Sequence, residues 1–185
     1  MPEREPIDVT NLDRYGYAVL PWSRPRDILA APPQPKMPGA DRRSYLGTVR
    51  PDGRPHSAGI GPLWHDGDLY IVSGPSTRKS RNLAENPVCT ISMGLEGIDL
   101  ILEGEASRVT DRPTLETVAA LYRDDGWPAE VEGNAFTAPY SAPSAGPPLW
   151  YLYRFTFHTV FGVATAEPYG ATRWRFGPGS DANDE

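Results

Sequence analysis

Cysteine and long apolar runs are both scarce in this sequence. The one cysteine, Cys89, excludes an intramolecular disulfide, and its position in an apolar run predicts a buried core thiol. No positively charged start followed by an apolar stretch occurs near Met1, and no apolar segment is long enough to span a bilayer. We therefore expect neither a signal peptide nor a membrane span, with the reducing cytoplasm as the location.

Positive charge is also in short supply. The 18 Lys and Arg residues face 24 Asp and Glu residues, for a formal net charge of −6. Nucleic acids and anionic membranes bind through broad basic surfaces, so the composition argues against either as the main partner. Any anion site must be local.

Motifs for metal binding and for nucleophilic catalysis are missing. Three histidines and one cysteine without ligand spacing predict no metal site. Ser57 and Ser73 lack the glycine-flanked elbow of a nucleophilic serine, which argues against a hydrolase. His65, inside a turn signal, is expected to be exposed, and His158, in an aromatic strand, to be packed in the core.

Proline and glycine, by contrast, are abundant, with 21 and 18 of the 185 residues. Prolines crowd the first forty residues and the stretch 126–149, where they interrupt regular hydrogen bonding. We interpret 1–41 as an arm, in which Ser23 caps a short helix, and 126–149 as a loop and candidate lid within a domain of residues 42–176. Residues 177–185 are interpreted as a flexible tail.

Runs of strand length alternate with turn signals from residue 44 onward. Helices are expected over 77–85, capped by Ser76 or Thr77 and stopped at Pro87, and over 113–126. The expected strands, rich in aromatic and β-branched residues or alternating in polarity, are 44–49, 55–64, 69–73, 88–93, 100–109, 150–165 and 171–176.

This pattern predicts a mainly β chain with inserted helices. Short antiparallel strands with helices between them favour a closed or nearly closed barrel, since closure removes exposed strand edges. A β-sandwich of the immunoglobulin type remains the alternative on strand count alone.

The stretch 73–82 concentrates hydroxyls, a glycine turn and three cations in an otherwise acidic chain. Backbone N–H groups at a helix start favour anions, hydroxyls donate to phosphate oxygens, and Lys79 with Arg78 or Arg81 supplies charge-assisted hydrogen bonds. The stretch therefore predicts a phosphate cradle. The alternative is a solvated basic helix start.

Five motifs follow one another in a definite order: YLGTVRPDGRPH at 45–56, LYIVSG at 69–74, TRKSRNLAENP at 77–87, LEGEA at 102–106 and TRWRF at 172–176. Their order resembles the pyridoxamine 5′-phosphate oxidase-like split-barrel family, over about residues 42–176. The likeness is greatest to its branch of flavin and deazaflavin oxidoreductases common in actinobacteria. The resemblance implies a split β-barrel of about seven strands and a homodimer, with FMN or the deazaflavin coenzyme F-420 at the dimer interface.

The resemblance also implies which residues bind the cofactor. The ring system would lie along the strand of His56, Ser57, Ala58, Gly59 and Ile60. The phosphate would be held by Ser73, Thr77, Arg78, Lys79 and Asn82, and the partner subunit would contribute Trp174 and Arg175. For His56 a purely structural hydrogen-bonding role is the alternative.

The activity that the resemblance implies is that of an oxidoreductase in which the bound flavin passes a hydride to or from a small organic substrate. The sequence identifies no proton donor, and the 56–61 strand has no basic position beyond His56, so vitamin B6 oxidation is not expected. The acidic tail of F-420 would need further cations, for which Arg42, Arg43, Lys36 and Arg26 are candidates. The alternatives are a non-catalytic flavin-binding or flavin-storage module, and a barrel whose motif residues serve only the dimer interface.

Overall fold

The structure, a computed structural model, describes residues 4–31, 44–142 and 145–177. Its strands are β1 (Asp8–Asn11), β2 (Ser44–Val49), β3 (Pro55–Ile60), β4 (Leu63–His65), β5 (Asp68–Ser73), β6 (Val88–Leu95), β7 (Ile98–Arg108), β8 (Glu130–Glu132), β9 (Ala135–Thr137), β10 (Tyr151–Ala164) and β11 (Ala171–Arg175). Its helices are α1 (Ser23–Ala30), α2 (Arg78–Glu85) and α3 (Arg112–Asp124). None of the helices in these ranges is long and apolar enough to cross a membrane.

Nine of the strands form one antiparallel sheet that rolls around a core. The pairing path runs β1-β11-β10-β7-β6-β2-β3, and β5 joins β10 while carrying β4 on its other side. The 14-residue β10 bridges the two halves, because its first residues pair with β5, its last with β11, and residues 153–164 with β7. This is the expected split-barrel architecture, although no ladder between described residues closes the barrel.

The seven expected strands are all present, and their polarity patterns explain which face each side chain takes. In β7 the residues Leu100, Leu102 and Ala106 point inward, while Ile101 and Glu105 point outward. One expected strand is divided, because the chain breaks its pairing at Gly61 and Pro62 between β3 and β4. Proline has no N–H to donate to a ladder, which accounts for the break.

Two apolar clusters hold the fold together. The first fills the barrel, with Leu46, Ile91 and Phe155 fully buried. The second lies between α3 and the outer side of β5, where Leu115 of α3 packs close to Leu152 of β10. At β5 the sheet is thus covered by apolar packing on both sides, by the barrel core on one side and by α3 on the other.

The N-terminal arm contributes to the barrel core. Strand β1, which the sequence pattern did not predict, pairs with β11, and Leu20 and Trp22 are buried against the barrel. Helix α1 is present, but Ser23 is its first helical residue, and Trp22 occupies the N-cap position without a side-chain cap. The capping role predicted for Ser23 is wrong, because Ser23 already lies inside the helix.

The stretch 126–149 contains an element that its prolines seemed to exclude. Strands β8 and β9 form a hairpin whose Phe136 packs on Tyr122 of α3 and on Trp127. Pro128 and Pro139 flank this hairpin rather than interrupt it. A lid function for the stretch stays a prediction.

Candidate phosphate and ring-binding site

Helix α2 begins in a cluster of three hydroxyl groups. Thr77 is the N-cap, and its Oγ1 accepts a hydrogen bond from the Ser80 amide at 3.3 Å. Ser73 Oγ lies 2.8 Å from Thr77 Oγ1 and 2.9 Å from Ser80 Oγ. These contacts fix the end of β5 to the start of the helix, so the first amides of α2 have one defined direction.

Lys79, in the first turn of α2, is a buried cation. Only 7% of its surface is exposed, and burial lowers the pKa of its ammonium group. Its side chain makes no hydrogen bond and no ion pair with the described part of the chain. A largely buried lysine whose ammonium has no counter-charge among the described residues favours an anion as its partner.

Two arginines lie in the same electrostatic neighbourhood. The pKa of His56 is lowered first by burial and then by the positive charges of Arg50, Arg78 and Lys79. The side-chain Nε of Arg50 is buried and has no hydrogen-bond partner in the described ranges. The charges of Arg50 from the β2–β3 hairpin and of Arg78 and Lys79 from α2 thus all act on His56.

Asn82 ties the helix to this hairpin. Its Nδ2 donates to Thr48 Oγ1 at 2.9 Å, and Thr48 Oγ1 lies 3.4 Å from Nδ1 of His56. The amide of Asn82 is thus engaged within the protein, and it orients His56 through Thr48. The structural alternative for His56 and the cofactor-binding one are compatible, because only one ring nitrogen faces Thr48.

A cleft of about 650 Å³ opens beside these groups on the outer face of the sheet. One row of paired residues crosses it from Ser57 through Gly47, Thr90 and Glu103 to Thr159, on five neighbouring strands. At the usual strand spacing this row is roughly 19 Å long. The cleft lining comprises Tyr45, Gly47, Thr48, Val49, Pro55, His56, Ser57, Val88, Cys89, Thr90, Ser92, Glu103, Gly104 and His158.

His158 is exposed at this cleft, contrary to the packed position expected from the sequence. Phe155 and Phe157 point into the core, so strand alternation turns His158 outward. Its Nδ1 lies 3.0 Å from Thr159 Oγ1.

The remaining residues of the expected ring-binding strand lie on β3. Ala58, Gly59 and Ile60 pair with β2, and β3 ends the pairing path, so its other edge carries no ladder with the described residues. Free backbone groups along such an edge can bond to a polar ligand. His56 and Ser57 line the cleft itself.

Trp174 and Arg175 are not brought to this cleft within the subunit. The Trp174 side chain is fully buried, its Nε1 donates to the Leu20 carbonyl at 3.2 Å, and its ring centroid lies 5.6 Å from that of Trp22. Arg175 is exposed on β11. Trp174 thus has a core role, and contact of this strand with a partner's cofactor stays a prediction.

The candidates for binding an F-420 tail are mostly beyond the described ranges. Lys36, Arg42 and Arg43 lie outside the described residues. Arg26 is described, and it forms ion pairs with Glu5 at 2.7 Å and Asp27 at 2.9 Å.

Sequence reasoning missed Arg50, Glu103 and His158. Arg50 and Arg54 flank the same turn and carry the same charge, so no local signal shows which of them turns toward the helix. The alternation of polarity in β7 shows which of its residues point outward. It does not show that these residues lie beside β6 and β2, because that depends on the order of the strands.

Comparison with known proteins identifies the family of the fold. The family model described as pyridoxamine 5′-phosphate oxidase matches residues 40–145. A search of curated proteins gave no match.

Solved structures show the same fold at low identity. A Clostridium acetobutylicum protein related to general stress protein 26, of the pyridoxine phosphate oxidase family, has a TM-score of 0.52 at 16% identity over 74% of this chain and 87% of that one. A pyridoxamine 5′-phosphate oxidase-related, FMN-binding protein from Nostoc punctiforme has a TM-score of 0.50, with the same identity and coverage. An F-420 reductase has a TM-score of 0.49 at 18% identity, over 80% of this chain and 98% of that one, too low to bear on the cofactor.

Proposed function

The chain belongs to the pyridoxamine 5′-phosphate oxidase family, and on that premise we propose that it is a flavin-dependent oxidoreductase. It binds FMN or coenzyme F-420 by the phosphate and transfers a hydride to or from a small organic substrate. The observation that carries this proposal is the group of unpaired cations at the start of α2, Lys79 above all.

An anionic ligand explains this group of cations better than a structural role does. The protein has a net charge of −6, so carboxylates are plentiful, yet Arg50, Arg78 and Lys79 make no side-chain ion pair in the described ranges. By contrast, two part-buried arginines of the barrel share one carboxylate: Asp68 accepts from Arg154 Nε at 2.6 Å and from Arg4 Nη1 at 3.4 Å. A phosphate would supply the missing charge and accept hydrogen bonds from the guanidinium and ammonium groups.

The adjoining cleft fits a planar ring. Tyr45, Val49 and Pro55 give it apolar walls, and its volume lies within the usual range for ligand sites. Gly47 forms part of the floor, where a Cβ would lie 2.5 Å from Thr90 Oγ1. The flavin, when bound, supplies the redox chemistry, while this chain binds it, orients it and sets the charge around it.

Homodimer formation is part of the proposal. Five large apolar side chains of the outer sheet face are 38–54% exposed, on four of the five strands that border the cleft: Tyr45, Val49, Val88, Ile101 and Val163. A second copy packed on this face would cover these side chains and enclose the cleft.

The first experiment titrates the apo protein separately with FMN and with F-420 and follows the fluorescence of the ring. We expect tight, stoichiometric binding of at least one of them, and at least tenfold weaker binding by Lys79→Gln, since it removes a charge-assisted contact worth roughly 1.5–3 kcal/mol. Arg112→Gln is the matched control, because Arg112 is exposed on α3 and pairs with Glu116.

Turnover distinguishes an enzyme from a flavin store. Anaerobic mixing of the loaded protein with reduced nicotinamide cofactors and with small organic donors should bleach the flavin absorbance for at least one of them. Stoichiometric cofactor that none of them reduces would favour the storage module. Failure to bind either cofactor would overturn the oxidoreductase proposal.

A further inference from the structure

We propose that Arg50 is a third cationic ligand of this site and that it makes the site select a phosphate monoester dianion, as in FMN, over a phosphodiester, as in F-420. The inference rests on the proposed function for the identity of the ligand, but its anion chemistry can be tested without any flavin. The β2–β3 turn carries two arginines, Arg50 and Arg54, of which only Arg54 has a carboxylate partner in the described ranges.

Hydrogen bonds within the turn fix the backbone positions of both arginines. The Arg50 amide donates to the Arg54 carbonyl at 2.9 Å, and the Gly53 amide donates to the Arg50 carbonyl at 2.8 Å. Gly53 takes a φ of +80°, which L side chains rarely adopt, so the turn is held in one shape.

The two side chains have opposite surroundings. That of Arg54 is 73% exposed and bonds the Asp52 carboxylate through Nε at 3.0 Å and through Nη2 at 2.6 Å. Arg50 is half-buried, and its buried Nε has no partner in the described ranges. Asp52, in the same turn, accepts its side-chain hydrogen bonds from Arg54, and Arg50 lowers the pKa of Asp52 only as a minor through-space charge.

The charge of Arg50 reaches the same region as those of Lys79 and Arg78. All three lower the pKa of His56, after the larger effect of burial. Arg50 of the hairpin, whose buried Nε has no partner in the described ranges, and Lys79 of α2 therefore act on one imidazole from two elements.

Three fixed cations discriminate between ligands by charge. A phosphate monoester carries close to two negative charges at neutral pH, whereas a diester carries one. Each cation interacts with the ligand in proportion to that charge, so the third cation favours the dianion more strongly. The planar fork of a guanidinium also matches two phosphate oxygens, which a terminal phosphate offers freely.

The test measures dissociation constants of FMN, riboflavin and F-420 for the wild type, Arg50→Gln and Arg54→Gln. We expect Arg50→Gln to weaken FMN roughly tenfold or more, to weaken F-420 less, and to leave riboflavin, which has no phosphate, unchanged. Arg54→Gln is the matched control from the same turn and should change none of the three. Arg50→Lys, which keeps the charge without the fork, should give an intermediate constant for FMN.

Two outcomes would overturn the inference while the proposed function stands. One is FMN affinity unchanged in Arg50→Gln but lost in Lys79→Gln, which would leave the phosphate to α2 alone. The other is an equal loss of FMN and F-420, which would remove the selection by charge. A thermal melt of each variant checks that it is folded before its affinities are compared.

A second readout covers the case in which no flavin binds. Inorganic phosphate, added at about pH 8 where it is a dianion, should shift the imidazole NMR signals of His56 in the wild type and in Arg54→Gln. The shift should be lost in Arg50→Gln. If the wild type shows no phosphate-dependent shift, the anion site itself is wrong.

Discussion

The burial of Lys79 is expected to lower the stability of the apo protein. Burial lowers the pKa of its ammonium in the folded state, so the folded chain holds this proton less tightly than the unfolded chain does. The sign follows from linkage: the buried charge destabilises the fold at pH values below the folded pKa, and the penalty is relieved as the pH rises through that pKa. A bound anion would relieve it at neutral pH instead.

Replacement of Lys79 by methionine should therefore stabilise the apo protein. We expect Lys79→Met to raise the free energy of unfolding at neutral pH by about 1 kcal/mol, since the apolar stem keeps its packing while the unpaired charge is removed. The alkaline gain in stability of the wild type should disappear. Urea unfolding at a series of pH values checks both expectations, with Arg112→Met as the exposed control.

A less stable Lys79→Met protein with an unchanged pH profile would contradict this reading. It would mean that the Lys79 ammonium is solvated or paired in the apo state.

At the scale of elements, the loop that follows β9 packs against the turn that precedes α2. A Cβ on Gly74 would collide with the carbonyl oxygen of Ala145. Ala142 and Gly146 exchange backbone hydrogen bonds next to this contact, with Ala142 N donating to Gly146 O at 2.9 Å. The candidate lid thus contacts the turn that precedes α2, the helix proposed to bind phosphate.

Substitution of Gly74 by alanine should detach this part of the loop. The new methyl group would clash with a backbone oxygen, which cannot move aside as a flexible side chain could. We therefore expect Gly74→Ala to destabilise the protein by about 1–3 kcal/mol. Amide hydrogen exchange at Ala142 and Gly146 should become faster. Gly61→Ala is the control, because a Cβ at Gly61 meets nothing within 4 Å.

Unchanged exchange at Ala142 and Gly146 in Gly74→Ala would show that the loop is held elsewhere. The packing of Trp150 is the other anchor on this side, through its Nε1 bond to the Gly146 carbonyl at 3.3 Å.

For the whole molecule, two apolar surfaces compete as places for a second copy. One is the outer sheet face around the cleft, with Ile101 at 48% exposure, and the other is the N-terminal arm, with Val9 at 45%. The proposed function requires the first, because only this face borders the cleft.

A charge on the correct surface should separate the subunits. We expect Ile101→Glu to convert a dimer to monomers and to weaken FMN binding at least tenfold, since a buried, unpaired carboxylate at an interface is strongly unfavourable. Val9→Glu, of matched exposure, should leave both properties unchanged. Analytical ultracentrifugation and FMN titration measure the two effects.

Dissociation by Val9→Glu and not by Ile101→Glu would assign the interface to the arm. A wild type that sediments as a monomer at all concentrations would contradict the dimer altogether.

The long strands and the start of α2 were readable from the sequence because their signals are local. Alternation of polarity over a few residues sets the faces of β7, and a threonine ahead of a polar helical stretch caps α2. Ser73, Thr77 and Lys79, which are proposed to bind phosphate, come from one short segment, so their proximity follows from the turn itself.

The place of the arm, of Trp174 and of the row across the cleft was decided by the tertiary structure, because each involves residues far apart in the chain. Trp22 and Trp174 lie 5.6 Å apart, and this contact places the arm in the core and removes Trp174 from the cleft. That Gly47, Thr90 and Glu103 form one row depends on the order of strands in the sheet. Local propensity carries no information about the order of strands, because that order is determined by which apolar faces pack together when the chain folds.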